Sequence, residues 1–285
     1  MFLWIAFLSS AVFSAGLNLR STSTDLSAKI EQRAVNVLIE PGCDHCRAFM
    51  IGPLKAAVAD EKTAKLMDVD VVSFGNSYWA VPECENANAT NVITPGCGGG
   101  GGYDVGRRQC YNEKCFSGAT VTDPPEDCYA GTLVYQFGFV QMYSTQYFLC
   151  AKHLAKNSWQ TYVPFIICME EDFENIHDGA STVEVAKNCA SSNNMDYSKL
   201  ESCYNSDVPK TMLRQEAASV PTHPGVPYVT INGVEVELEV KDSTSLISAI
   251  HSAKDGSNET ALLEHGLVSQ KSSFPALQNP MRMTY

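Results

Sequence analysis

Cys43-Asp44-His45-Cys46 places two thiols three positions apart, directly after the apolar run Val35-Asn36-Val37-Leu38-Ile39. At the start of a helix, two cysteines with this spacing can close a disulfide without moving the backbone. The helix N-terminus also favours the thiolate, the reactive form, and can lower a cysteine pKa from about 8.5 to roughly 3.5–7.5. The chemistry this predicts is thiol–disulfide exchange, with Cys43 as the exposed attacking thiol and Cys46 as the resolving one. His45, when protonated, would favour the thiolate, and Asp44 would act against it. Two other readings of the pair are a structural disulfide and half of a zinc site. Zinc needs a second close pair of ligands, and Cys110 and Cys115, with four residues between them, lie at the edge of the usual spacing.

The elements that must position these thiols follow from the pattern. Val35–Glu40 reads as a buried strand and Val69–Phe74 as a second one. Between them Arg47–Lys65 has near-helical apolar spacing, kinked at Gly52-Pro53. This strand–helix–strand order suits parallel pairing. From Gly75 to about Asp127 the periodicity is lost in a stretch holding four of the cysteines, with Cys128 just beyond, and the glycine run Gly98–Gly102. That run is read as a spacer, since no Gly-Lys-Ser/Thr follows it. Leu133–Lys156 reads as helix, Tyr162–Cys168 as strand or buried helix, and 170–218 as helices. Tyr228–Leu238, two β-branched runs joined by Asn232-Gly233, is a hairpin pattern opened by Val226-Pro227, and Ser243–Ala253 resembles a terminal helix. The order predicts an α/β, thioredoxin-like fold, with a long cysteine-rich and helical insertion at about 76–220 between the second strand and the Pro-led hairpin. In that fold a cis-proline faces the disulfide, a part that Pro227 can play. The expected domain runs over 30–253, after a signal peptide at 1–16 and before a polar tail at 254–285.

Composition narrows the setting. The apolar share is 45%, that of a globular chain with a core. Phe2–Phe13 is apolar but too short to span a bilayer, and small residues follow it, as in a secretory leader. Asn88-Ala89-Thr90 and Asn258-Glu259-Thr260 are sequons for a secreted glycoprotein. Later segments lack 18 uninterrupted apolar residues, so no span is expected in the mature chain. The net charge of −12 disfavours nucleic acid and anionic membrane partners. Of eleven cysteines, nine remain outside the motif; an oxidising compartment predicts that most are bridged, and the odd number leaves one over.

Several stretches together resemble the gamma-interferon-inducible lysosomal thiol reductase family over roughly 35–238. Cys43–Cys46 falls at the family's C-x-x-C centre, and Ser73-Phe74-Gly75-Asn76 is similar to its Gly-Asn pair. Cys168-Met169-Glu170-Glu171 resembles a Cys-Met-Glu segment, with Cys150 at the last cysteine of the family signature. Thr222-His223-Pro224-Gly225-Val226-Pro227-Tyr228-Val229-Thr230-Ile231-Asn232-Gly233 is close to its His-x-x-Val-Pro-Trp-Val-x-x-Asn-Gly stretch. The family's Cys-Gln-His-Gly is set against Cys128-Tyr129-Ala130-Gly131, which lacks the Gln-His pair. Cys189 and Cys203, at the family's spacing, are read as a structural disulfide, and Cys150 with Cys168 as a second candidate pair. Connectivity among Cys84, Cys97, Cys110, Cys115 and Cys128 stays open.

The resemblance implies a reductase of protein disulfides without cofactor or metal, working in a lysosomal, endosomal or other secretory lumen, or outside the cell. Its partners would be disulfide-containing proteins and a small-thiol or protein electron donor. The expected site is Cys43, Cys46, His45 and Pro227. A disulfide oxidase or isomerase is the close variant. A secreted disulfide-rich binding protein without turnover is the alternative from another class.

Overall fold

In a computed structural model the structure describes residues 32–87, 104–116, 124–221 and 223–253. The expected leader, tail, glycine run, both sequons, Thr222 and Cys97 lie outside these residues.

The sheet grows from the two apolar runs. β1 (Arg33–Leu38) pairs in parallel with β2 (Met67–Val72), from Arg33 opposite Met67 to Leu38 opposite Val72. Alternate residues Val35, Val37, Met67, Val69 and Val71 enter the core, which is the period-two burial of a strand pair. β5 (Tyr228–Ile231) lies antiparallel on the other side of β1, and β6 (Val234–Glu235) follows across a turn with Asn232 at φ 52° and Gly233 at φ 78°. Positive φ at both central residues is what Asn-Gly supplies. β6 is shorter than the expected hairpin arm. The resulting order, β2-β1-β5-β6, with one parallel and two antiparallel pairings, is that of a thioredoxin-like fold.

The segment after the motif forms α1 (Asp44–Phe49), a π-helical turn over Met50–Leu54, and α2 (Lys55–Ala59), with α3 (Glu61–Ala64) beyond. Pro53 lies inside the π-turn, where the widened winding absorbs its missing N–H, so the expected kink takes this form.

The insertion contains more order than its sequence promised. β3 (Tyr78–Ala80) pairs with β4 (Thr132–Val134), and α4 (Val105–Phe116) is a polar helix. Disulfides Cys84–Cys110 and Cys115–Cys128 tie this helix down, with Trp79, Tyr111 and Tyr129 packed around them. The remaining helices are α5 (Gly138–Leu154), α6 (Trp159–Glu171), α7 (Gly179–Ser192), α8 (Tyr197–Tyr204), α9 (Val208–Ser219) and, after the hairpin, α10 (Ser245–Ser252). Tyr162–Cys168 is therefore helical. No helix among the described residues is long and apolar enough to cross a membrane.

Two pairings read from the sequence are corrected. Cys150 on α5 bridges Cys203 on α8, and Cys168 on α6 bridges Cys189 on α7, at Cα separations of 5.8 and 5.6 Å. A disulfide needs Cα atoms about 4.4–6.8 Å apart, and which helices pack side by side decides that, not chain order.

Lys152, near the end of α5, is buried between β2 and α9. Its Nζ meets Asp70 Oδ1 at 2.6 Å, Val71 O at 3.0 Å and Glu216 Oε1 at 3.2 Å. Glu216 in turn accepts from the Ser73 backbone N–H and hydroxyl. Removing the cation strands a buried carboxylate, so Lys152→Ala is expected to cost about 3–5 kcal/mol in urea unfolding. A loss under about 1 kcal/mol would mean that Glu216 does not depend on this partner.

Candidate active site

Strand β1 ends at Leu38, and Ile39-Glu40-Pro41-Gly42 turns the chain into α1. The turn needs Gly42, whose φ is 97°. Cys43 is the N-cap residue in extended conformation, its carbonyl accepting from Arg47 N–H at 2.8 Å and its own N–H donating to Glu40 O at 3.1 Å. Cys46 lies one turn on, wholly buried, and its thiol is hydrogen-bonded to that of Cys43. Burial pushes the Cys46 thiol well above its ordinary value, and contact with Cys43 pushes the same way; the Glu40 backbone N–H, 3.4 Å from Cys46 Sγ, opposes this.

Cys43 is not the exposed thiol expected from the sequence: only 1% of it is accessible. The turn before α5 lays Phe137 against Gly42, so close that a Cβ there would lie 2.9 Å from Phe137 Cβ, with Phe173 Cζ at 3.5 Å. His45 and Asp44 occupy the first turn of α1 and face solvent. The Val226–Pro227 bond is cis. Because Leu38 pairs with Tyr228, Pro227 lies at the end of the sheet from which the chain turns towards Cys43.

Beneath the motif lies a polar cluster that the motif alone does not reveal. Glu40, fully buried, accepts from Asn76 N–H at 2.8 Å, Asn76 Nδ2 at 3.0 Å and Gln141 Nε2 at 3.2 Å. Gln136 Oε1 accepts from Asn76 Nδ2 at 3.1 Å. Gly75, at φ 55°, is required where it stands, since a Cβ would come within 2.0 Å of Glu40 Cγ. Burial raises the Glu40 carboxyl from 4.5 to about 8; the hydrogen bonds from Asn76 and Gln141 and the charge of Arg108 oppose the rise, and Cys43 adds to it. The cluster reaches the hairpin through His223. Its Nε2 lies 3.1 Å from Asn76 Oδ1 and 3.0 Å from Arg108 Nη2, and its Nδ1 lies 2.8 Å from Pro221 O. Burial first, then Arg108, lowers His223 from 6.5 to about 4, so its ring is neutral at ordinary pH.

A second acid, Glu170 near the end of α6, is 1% exposed and raised from 4.5 to about 8, by burial first and then by Cys43, with Arg47 opposing. Two buried carboxyls thus feel the charge of Cys43.

Sequence reasoning missed Glu40, Glu170, Gln136, Gln141 and Arg108 as site residues. Polar side chains interrupting apolar runs were the available trace: Glu40 ends a strand, and Gln136 and Gln141 break a helical pattern. Cys128–Gly131, set against the Cys-Gln-His-Gly stretch, belongs with Cys115 in the apolar packing around Trp79 and Tyr111; the residues of this region that reach the site are Phe137, against Gly42, and Gln136 and Gln141, in the polar cluster.

No family model matches the chain, and no curated protein matches it. Among solved structures it is similar to a candidate protein disulfide isomerase from Nitrosomonas europaea, at 12% identity over 77% of this chain and 97% of that one, with a TM-score of 0.42. It is also similar to a candidate DsbA oxidoreductase from Streptomyces coelicolor, at 12% identity over 86% of this chain and 95% of that one, with a TM-score of 0.39.

Proposed function

We propose that the chain is a thiol–disulfide oxidoreductase that reduces protein disulfides through Cys43 and Cys46. One observation carries the reading. Among the described residues eight cysteines are paired in four disulfides, and the two left as thiols are those of the motif, in contact at the head of α1. A structural pair would be expected to be bridged with the others.

The Cys43 thiolate attacks one sulfur of a substrate disulfide, forms a mixed disulfide and expels the first substrate thiolate. Cys46 then loses its proton and attacks Cys43 Sγ, closing Cys43–Cys46 and releasing the second substrate thiolate. A donor dithiol, or two small thiols, reopens the pair. The Glu40 backbone N–H lies on Cys46 Sγ, and the charge of its buried carboxyl bears on both thiols. The peptide dipoles at the helix start favour the Cys43 anion, and His45, when protonated, adds to this from the first turn. Pro227 is proposed to dock substrate backbone. Reduction is the proposed direction because the family resemblance implies it. The four disulfides are compatible with an oxidising compartment. An acidic lumen suits the family resemblance, whose separate segments at 43–46, 73–76, 168–171 and 223–227 converge on this site. The burial of Cys43 favours a binding protein without turnover as the second reading.

An insulin-reduction assay between about pH 4.5 and about pH 7.5, spanning the ordinary histidine value of about 6.5, separates the two. Turnover is expected in the native chain. Cys46→Ser is expected to accumulate a mixed disulfide between Cys43 and substrate that dithiothreitol releases. Neither turnover nor adduct would overturn the oxidoreductase reading.

A further inference from the structure

Glu170 is buried with both carboxyl oxygens lacking a hydrogen-bond partner among the described residues. A buried carboxyl without a donor is costly, and one that persists needs a reason. Its position is well defined. Arg47 of α1 donates Nε–H to the Glu170 carbonyl at 2.9 Å and reaches Glu174 Oε1 at 2.9 Å, clamping the end of α6 to the helix that starts at Cys43. The neighbouring acids are compensated, Glu174 by Arg47 and Glu171 by Lys55, while Glu170 faces inward. The charged groups that bear on it are Cys43, whose negative charge favours its protonated form, and Arg47, which opposes that.

We propose that Glu170 is a redox-linked proton site: it holds a proton while Cys43 is a thiolate and gives it up when Cys43 and Cys46 join in a disulfide. The proposal rests on the oxidoreductase reading and adds the proton that reading lacks. Reducing one substrate disulfide makes two thiols and needs two protons. Cys43 attacks as an anion, so the dithiol brings only the proton of Cys46. Glu170 supplies the other: Cys43-S⁻, Cys46-SH, Glu170-COOH and the substrate disulfide become the Cys43–Cys46 disulfide, Glu170-COO⁻ and two substrate thiols. Two electrons pass from the protein sulfurs to the substrate sulfurs, and the single negative charge moves from sulfur to carboxylate. The buried site therefore bears the same charge in both redox states, which avoids the cost of creating a new one there. Glu40 is less suited to this part, because the three hydrogen bonds its carboxyl accepts hold it whatever the state of the sulfurs. Glu170 accepts no such bond among the described residues, so beyond its burial only the neighbouring charges bear on it.

The test uses the full chain at about pH 6.5, below the Glu170 value of about 8, with hydroxyethyl disulfide as oxidant. The reduced-minus-oxidised infrared spectrum is expected to contain a protonated-carboxyl band that Glu170→Gln removes and Glu40→Gln keeps. Oxidation of Glu170→Gln is also expected to draw about one more proton from the medium per disulfide formed than the native chain draws. A native chain without that band, or a band and proton count unchanged by Glu170→Gln, would overturn the proposal. The native spectrum needs no variant to fold. If hydroxyethyl disulfide does not oxidise the pair at all, the oxidoreductase reading itself fails, and that result is distinct from exchange without the band.

Discussion

Cys43→Ser is expected to lower disulfide reduction by at least about a thousandfold, to the rate of the free donor thiol. The reason is local. Cys43 is the sulfur at the helix entry, and Cys46, wholly buried with its thiol held protonated, is not placed to attack first. A serine oxygen neither ionises at this pH nor forms a mixed disulfide. The fold is expected to survive, since serine matches cysteine in size and the site already presents polar partners; the cost should stay within about 1–3 kcal/mol for a buried hydroxyl. Turnover by insulin reduction, read beside a urea unfolding curve, separates loss of chemistry from loss of structure. Residual turnover within about tenfold of native would remove Cys43 from the mechanism.

Stability is expected to fall as pH rises from about 4.5 to about 8. Glu40 and Glu170 move from 4.5 in the unfolded chain to about 8 in the folded one. Between those values the folded state holds protons that the unfolded state has lost, so each carboxyl contributes stability at acid pH that is lost through this window. The ceiling for each is about 5 kcal/mol at 1.36 kcal/mol per unit, and the sum is smaller because both couple to Cys43. His223 has the opposite sign. Lowered from 6.5 to about 4, it contributes stability above about pH 6.5 that is lost as pH falls towards 4. One histidine offsets part of two carboxyls at acid pH and nothing above about 6.5, so the downward slope should be steepest between about 6.5 and 8. Urea unfolding at a series of pH values measures it, and Glu40→Gln is expected to flatten it. Stability that climbs steadily to pH 8 would show that the two carboxyls ionise normally.

The framework was legible because its signals are local. Alternation in Val35–Leu38 and Met67–Val72 marks strands, Asn232-Gly233 marks a turn that needs positive φ, and the Val226–Pro227 step marks a bond able to be cis. The insertion was less legible. α4 is polar overall and is held by two disulfides to other segments of the insertion, so its sequence pattern announced little. The disulfide partners of Cys150 and Cys168 were misread for a related reason: spacing along the chain does not say which helices lie side by side.

By itself the sequence determined the order of strands and helices around the motif and the pairing of two thiols one helical turn apart, because both depend on residues within a few positions of each other. Tertiary structure alone decided the surroundings of those thiols. It buried Cys43 beside Phe137 and set Glu40, Asn76 and His223 in one hydrogen-bonded chain, although these residues lie up to 183 positions apart. It also turned Glu170 inward without a donor among the described residues, where the charge of Cys43 bears on it. Burial and apposition set proton affinities and access, and both arise only when distant segments pack together.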